Sequence, residues 1–324
     1  MLKPPVRLIL SGLLAASLLG GCARDPHELF GAAGPGRRLH FVCYGSGSPT
    51  VLFEGGFAAT ASAWYKVQPV LSRRTRTCAY DRAGSGRSDP GPLPRDGAAI
   101  AADLDAGLRD AGISGPFVLV GHSAGALYAQ LFYARRPKDV VGMVLVDPSV
   151  KFQDQAFDDI APGAGGVESI RSGVERCLAL AKGWGDQANA KDERRCFDKK
   201  GKLLPAATWL TQISELDTLW RQTSVEVVRA HPAYGAMPIV VLTAAGTYPR
   251  DDELSARFAD RWRDLHKALA AQSSRGEERL VEKSSHMIML DQPLAIIDAV
   301  DDVLNRLGSP GAAPAASSAA STKG

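Results

Sequence analysis

The residues best suited to covalent chemistry lie in Gly121-His122-Ser123-Ala124-Gly125, where one serine stands near two glycines. The pentapeptide follows an apolar run from Phe117 to Val120 and precedes Ala126-Leu127-Tyr128-Ala129-Gln130, so the pattern predicts a strand, a sharp turn and a helix. Such a turn strains the serine backbone, while glycines let neighbouring chain pass without Cβ clashes. The hydroxyl would then stand above the sheet edge, at the N-terminus of the helix. Taken alone, the pentapeptide also suits a small-residue turn in any α/β protein. A serine hydroxyl is unreactive at its own pKa, so the chemistry requires a base and a group that orients the base.

The base candidate is His286, in "VEKSSHMIMLDQP", after the last strand pattern and before the final helix. His27 and His40 read as preceding the sheet, and His231 and His266 lie in helical or linker contexts. His122 adjoins the serine, but adjacent residues at a tight turn do not face each other, so it reads as packing or polar support. For the orienting acid, Asp147 ends "VVGMVLVD" and is followed by Pro148-Ser149, which brings its carboxylate out at the same sheet edge as Ser123. Asp251 and Asp252 are the alternatives; they directly precede a helical pattern, where carboxylates also serve as caps. Asp291, ahead of Pro293, reads as a helix cap.

These side chains need a scaffold. From Arg37 the chain alternates β-rich runs with helical patterns, predicting an α/β fold built on a mostly parallel sheet. The strand candidates are "RRLHFVCYG", "TVLFEGG", "TRTCAYD", "FVLVGHS", "VVGMVLVDPS", "PIVVLTAAG" and "ERLVEKSS". Several are continuous apolar runs, as expected of strands covered by helices on both faces. Helices are expected over Trp64 to Leu71, Ile100 to Ala111, Ala126 to Arg135, Leu254 to Ala271 and Leu294 to Leu307. The alternation breaks at about 150–237, which carries Trp184, Trp209, Trp220 and two cysteines without a convincing strand; it reads as a helical insertion.

At 324 residues, with 45% hydrophobic and 23% charged residues, the chain can bury a sizeable core. A formal net charge of +3, with no dense basic block among aromatics, gives no support for a nucleic-acid partner. Lys3 and Arg7 precede an apolar segment from Leu8 to Leu19, the pattern of a secretory signal over residues 1–21. Residues 22–36 then read as a linker. The C-terminal segment 308–324, "GSPGAAPAASSAASTKG", has no apolar periodicity and reads as a disordered tail. Setting aside Cys22, export leaves Cys43, Cys78, Cys177 and Cys196 in an oxidising compartment, which predicts two disulfides among three possible pairings. No cysteine spacing suits a zinc site, and no metal or organic cofactor is implied.

The elbow at Ser123, His286 after the last strand and "YDRAGSGRSDP" together resemble the α/β-hydrolase-fold serine hydrolases over residues 37–307. Gly84-Ser85-Gly86 within that loop lacks the dinucleotide fingerprint and reads as a turn. The resemblance implies a serine, acid, histidine order, satisfied by any acid between Ser123 and His286. Many members carry the acid after the next strand, about three residues past the glycine, but that position is Pro249 here. Asp147 resembles the placement in pancreatic-type lipases, where proline follows the acid. The oxyanion donors implied are the backbone N–H groups of Ala124 and Phe57, the latter in "VLFEGGFAAT", where Glu54 replaces the histidine common in the family's His-Gly motif. The family's strand order implies the pairs Cys43–Cys78 and Cys177–Cys196.

The activity implied is cleavage of a carboxylic ester through an acyl-enzyme, beneath a cap formed by the insertion, whose tryptophans and leucines would line an acyl pocket. Peptidase, lactonase, lyase or cofactor-free haloperoxidase chemistry, or a non-catalytic binding module, are the alternatives. Epoxide and haloalkane hydrolases place aspartate where Ser123 stands and are disfavoured. Leu19-Gly20-Gly21-Cys22 resembles the lipobox of bacterial lipoproteins, implying lipidation of Cys22 and anchoring in the cell envelope. An ordinary cleaved signal is the alternative. Ala23 after the cysteine would favour the outer membrane.

Overall fold

The computed structural model describes residues 26–163, 167–184, 194–198 and 200–308. The signal segment, Cys22 and the tail beyond Gly308 lie outside the described residues. Eight strands form one sheet: β1 (His27–Gly34), β2 (Arg37–Tyr44), β3 (Thr50–Glu54), β4 (Thr77–Asp81), β5 (Phe117–His122), β6 (Val140–Val146), β7 (Ile239–Ala244) and β8 (Gly276–Val281). Their order is β1-β2-β4-β3-β5-β6-β7-β8. Strands β1, β2 and β4 pair antiparallel, and every pair from β4 onward in that order is parallel. The mostly parallel sheet expected from the sequence is present.

The helices are α1 (Gln68–Leu71), α2 (Gly97–Asp110), α3 (Gly125–Arg135), α4 (Gln153–Ala156), α5 (Glu168–Ala181), α6 (Ala206–Thr218), α7 (Ser224–Ala230), α8 (Glu253–Ala270), α9 (Ile288–Asp291) and α10 (Pro293–Gly308). Alternate residues along each central strand supply two separate cores. Leu52, Leu119 and Met143 face Leu104 and Leu108 of α2 and Tyr128 and Phe132 of α3. Val51, Val118, Val120 and Val144 face Trp64, Leu71 of α1 and Ile296, Val300 and Val303 of α10. Burial on both faces explains why β3, β4, β5 and β7 have no exposed position.

Three expectations change. Residues 27–34, inside the expected linker of 22–36, form β1, whose register runs from His27 opposite Cys43 to Gly34 opposite Arg37. The strand is rich in glycine and alanine and lies at the sheet edge, so it follows from pairing with β2 rather than from intrinsic propensity. His27 and His40 therefore belong to the sheet. The helix expected over Trp64 to Leu71 is instead a 3₁₀ turn, Ala61–Trp64, followed by α1. Pro69, one position inside α1, lacks the N–H needed to carry one helix through.

Between β6 and β7 the regular elements of the described chain are helical apart from an isolated bridge between Phe197 and Leu203. Val174, Leu180, Trp209 and Leu216 form a small core there. The Cys177–Cys196 disulfide ties α5 to a 3₁₀ turn, Arg194–Cys196. The second disulfide joins Cys43 to Cys78, which stand directly opposite each other on β2 and β4. Trp184 is 76% exposed and Trp209 belongs to the insertion's own core, so of the insertion's three tryptophans only Trp220 lines the cavity beside Ser123.

Candidate active site

Ser123 follows the last residue of β5 with φ +51°, in the left-handed region that a side chain resists. Its strained conformation is held from both sides: Ser123 N donates to Val146 O (3.1 Å), and Ser149 N donates to Ser123 O (3.0 Å). Gly125 is required because a Cβ there would lie 2.5 Å from Gly55 O and 2.6 Å from Glu54 O. The start of α3 can thus rest directly on the end of β3, and Ser123 remains partly exposed at the sheet edge.

His286 lies in the loop between β8 and α9. Its Nδ1 is 2.6 Å from Asp147 Oδ2, and its side chain is 37% exposed whereas that of Asp147 is wholly buried. Asp291 steadies this loop by accepting from Ser285 N (2.8 Å) and Ser285 Oγ (2.6 Å), so it acts on the loop rather than as a simple cap of α10. His122 Nε2 sits 3.0 Å from His286 O, so the neighbour of the serine supports the backbone of the distant histidine. Burial, reinforced by the proximity of His286, lowers His122 to about 3 and keeps it neutral.

Asp147, not Asp251 or Asp252, is the carboxylate bonded to His286. Asp252 is the N-cap of α8 and accepts from Ser255 N (2.7 Å), and both alternatives are exposed. Their position ahead of a helix favours capping, which Asp252 performs. Asp147 also accepts from Ala244 N (2.9 Å), Trp262 Nε1 (2.8 Å) and Thr247 Oγ1 (2.5 Å). Burial alone would raise its pKa, but the bond and charge of His286, the nearby His266 and the Thr247 hydroxyl leave it below the ordinary carboxylate value. No local pattern marks Thr247 or Trp262; each reaches Asp147 across more than ninety residues of chain.

Phe57, Ser123, Ala124, Trp220 and His286 line one cavity of about 210 Å³. Among the described residues, neither the Phe57 nor the Ala124 backbone N–H donates a hydrogen bond. The Gly55-Gly56 loop presses on the elbow: a Cβ on Gly56 would lie 2.6 Å from His122 Nδ1. Behind the loop, Glu54 is buried with Arg82, Tyr80 and Glu215. Burial raises the Glu54 carboxyl to about 7, against the pull of Arg82. Among the described residues no group of three or more His, Cys, Asp or Glu side chains could hold a metal ion.

The sheet order, the strained residue after β5 and the acid after β6 define a hydrolase architecture. The chain belongs to the alpha/beta hydrolase family, whose profile matches residues 51–299. A protein of Schizosaccharomyces pombe is 25% identical over 330 residues, 89% of this chain and 56% of its own length, so this chain spans little more than half of that relative. The N-formylmaleamate deformylase of Pseudomonas putida is 33% identical over 199 residues, covering 60% of this chain and 66% of that enzyme. Among solved structures, a thermophilic esterase from Thermogutta terrifontis has a TM-score of 0.60 at 20% identity, covering 88% of this chain and 100% of that one. That last likeness is one of fold.

Proposed function

We propose that the protein is a serine hydrolase that cleaves a carboxylic ester through an acyl-enzyme. The observation that carries this reading is the Asp147–His286 bond, formed at the rim of the cavity that Ser123 also lines. Nδ1–H of His286 donates to Asp147, which leaves Nε2 as the basic nitrogen. Nε2 takes the Ser123 Oγ proton as Oγ bonds to the acyl carbon. The resulting oxyanion accepts from the N–H groups of Ala124 and Phe57. Collapse breaks the bond to the leaving oxygen, which receives the proton from Nε2. Water then repeats the sequence, releasing the acid and restoring Ser123.

The test is a fluorophosphonate probe: wild-type protein becomes labelled and Ser123→Ala does not. Ser123-independent labelling, or none in folded wild type, would sink the reading. The deformylase among the relatives motivates a second substrate class, an N-formyl amide. Parallel assays of acyl esters and an N-formyl amide separate the two, with faster ester turnover expected.

We also propose export and lipid anchoring at Cys22. The support is the basic and apolar segment before Leu19-Gly20-Gly21-Cys22, together with two disulfides, which persist in oxidising compartments. Among the described residues no helix is long and apolar enough to cross a membrane. Cys22→Ser should move the protein from the membrane to the soluble fraction; retention in the membrane fraction would count against the anchor.

A further inference from the structure

Arg82 directly follows β4 and is only 2% exposed. Its guanidinium has five N–H donors in a rigid fork, and all are engaged. Nη1 donates to Glu54 Oε1 (2.9 Å) and Gly55 O (2.6 Å). Nη2 donates to Gly56 O (2.6 Å) and Glu215 Oε2 (3.3 Å), and Nε donates to Glu215 Oε1 (3.4 Å). The Tyr128 ring lies beneath the cation, 5.3 Å from Cζ to the ring centroid. Glu54 is in turn held by the Tyr80 hydroxyl, which donates to Oε2.

The carbonyl of Gly56 and the N–H of Phe57 belong to one peptide group. In a trans peptide these two bonds point in opposite directions from a rigid plane. Holding Gly56 O toward Arg82 therefore turns the Phe57 N–H away from Arg82, toward the side where Phe57 lines the cavity with Ser123 and His286. His122 also presses on the loop and leaves no room for more than a hydrogen on Gly56. A flip of this peptide would aim an oxygen at the oxyanion and break both bonds to Gly56 O, the one from Nη2 and the longer one from Ala59 N (3.1 Å).

Glu215 adds a second element, because it comes from α6 of the insertion rather than from the sheet domain. The same helix is held to the loop after β4 by Arg95 N donating to Ser214 Oγ (2.8 Å) and Thr218 Oγ1 donating to Arg95 O (3.2 Å). Thr211 of α6 also packs so closely on Gly84 that a Cβ there would lie 2.4 Å from Thr211 Oγ1.

We propose that Arg82 is a positioning residue that fixes the Phe57 N–H as an oxyanion donor, and that Glu215 makes this positioning depend on the docking of α6. The inference rests on the serine hydrolase reading and extends it: the insertion helps to assemble the catalytic machinery besides covering it. Glu54, where a histidine would be the family's usual residue, is the second brace of the same cation.

The test uses the full chain and compares Arg82→Lys and Glu215→Gln with wild type on the same ester. Lysine keeps a charge but replaces the planar fork by a single ammonium, which cannot span both carbonyls and both carboxylates. Loss of one oxyanion donor costs about 10²–10³ in kcat, so Arg82→Lys is expected to lower kcat by roughly tenfold to a hundredfold with KM within about threefold. Fluorophosphonate labelling of Ser123 slows in parallel. Glu215→Gln keeps the size and one acceptor oxygen, and is expected to lower kcat by about threefold to tenfold, again at nearly constant KM.

A folded Arg82→Lys with wild-type kcat, or one whose loss lies wholly in KM, would overturn the proposal. Should Arg82→Lys fail to fold, Glu215→Gln decides: a loss of thermal stability with kcat unchanged makes the network purely structural. An inactive, unlabelled wild type is a different outcome, which removes the hydrolase reading and this inference with it.

Discussion

Asp147 and Glu54 are both carboxylates at the C-terminal ends of parallel strands, and both are almost wholly buried, yet their surroundings shift their pKa values in opposite directions. Burial pushes both upward. At Asp147 the bond and charge of His286, the charge of His266 and the Thr247 hydroxyl outweigh burial, and Trp262 and the Ala244 backbone donate to the same carboxylate. At Glu54 the principal donor is Arg82, whose five N–H groups are divided among Glu54, Glu215 and two backbone carbonyls. Burial wins there. Asp147 accepts four hydrogen bonds and has the charges of His286 and His266 nearby, whereas Glu54 accepts from Arg82 and Tyr80 and lies beside the like charge of Glu215. The difference matches the two tasks: Asp147 holds a charge beside His286, and the Glu54 corner holds a backbone.

The largest effect is expected at Asp147. Asp147→Asn removes the charge while keeping the size, and kcat should fall by about 10⁴, the scale seen when a triad carboxylate is lost. The paired variant Asp251→Asn/Asp252→Asn should stay within about twofold of wild type, because asparagine still caps a helix. Equal losses in the two variants would reverse the assignment of the acid.

At Glu54 the effect should be on the pH dependence of stability. Between its ordinary 4.5 and about 7 the folded carboxyl keeps a proton that the unfolded chain has released, so this group makes stability fall as pH rises. His122 acts in the other direction: unfolded chain protonates it below 6.5, whereas the folded protein leaves it neutral down to about 3. Burial lowers His266 as well. Both histidines therefore make stability fall as pH drops, and Glu54 partly cancels them. Glu54→Gln removes the cancellation, so the loss of stability between pH 6.5 and pH 4.5 should become steeper in urea unfolding series. An unchanged slope would mean that Glu54 is ionised in the folded protein across this range.

The smallest effect is expected at Thr247. Thr247→Val deletes one of the bonds to Asp147, and about 1 kcal/mol, or roughly fivefold in kcat, is expected for a single bond of this kind. A change smaller than twofold would show that the remaining three donors suffice.

Much of the scaffold was legible along the chain. Strands β3, β5, β6 and β7 coincide with apolar runs because burial on both faces leaves each a continuous local signal, whereas the edge strand β8, GEERLV, is polar over most of its length. The elbow was legible for a related reason, since a strained serine and a close helix approach demand small residues at fixed spacing. β1 was missed because its sequence is glycine- and alanine-rich and its order comes from β2 alongside it. Arg82 was missed within "YDRAGSGRSDP", which reads as a turn; nothing local marks an arginine whose partners sit on β3, in the next loop and on α6.

Composition and periodicity along the chain were enough to establish an α/β fold, the position of the serine and a short set of candidate acids, because each depends on neighbours a few residues away. Folding chose Asp147 over Asp251 and Asp252, set the expected support role of His122 on the backbone of His286, and joined Arg82 to Glu215. Those choices depend on contacts between residues 139, 164 and 133 positions apart, which strand pairing and helix docking create and no local pattern encodes.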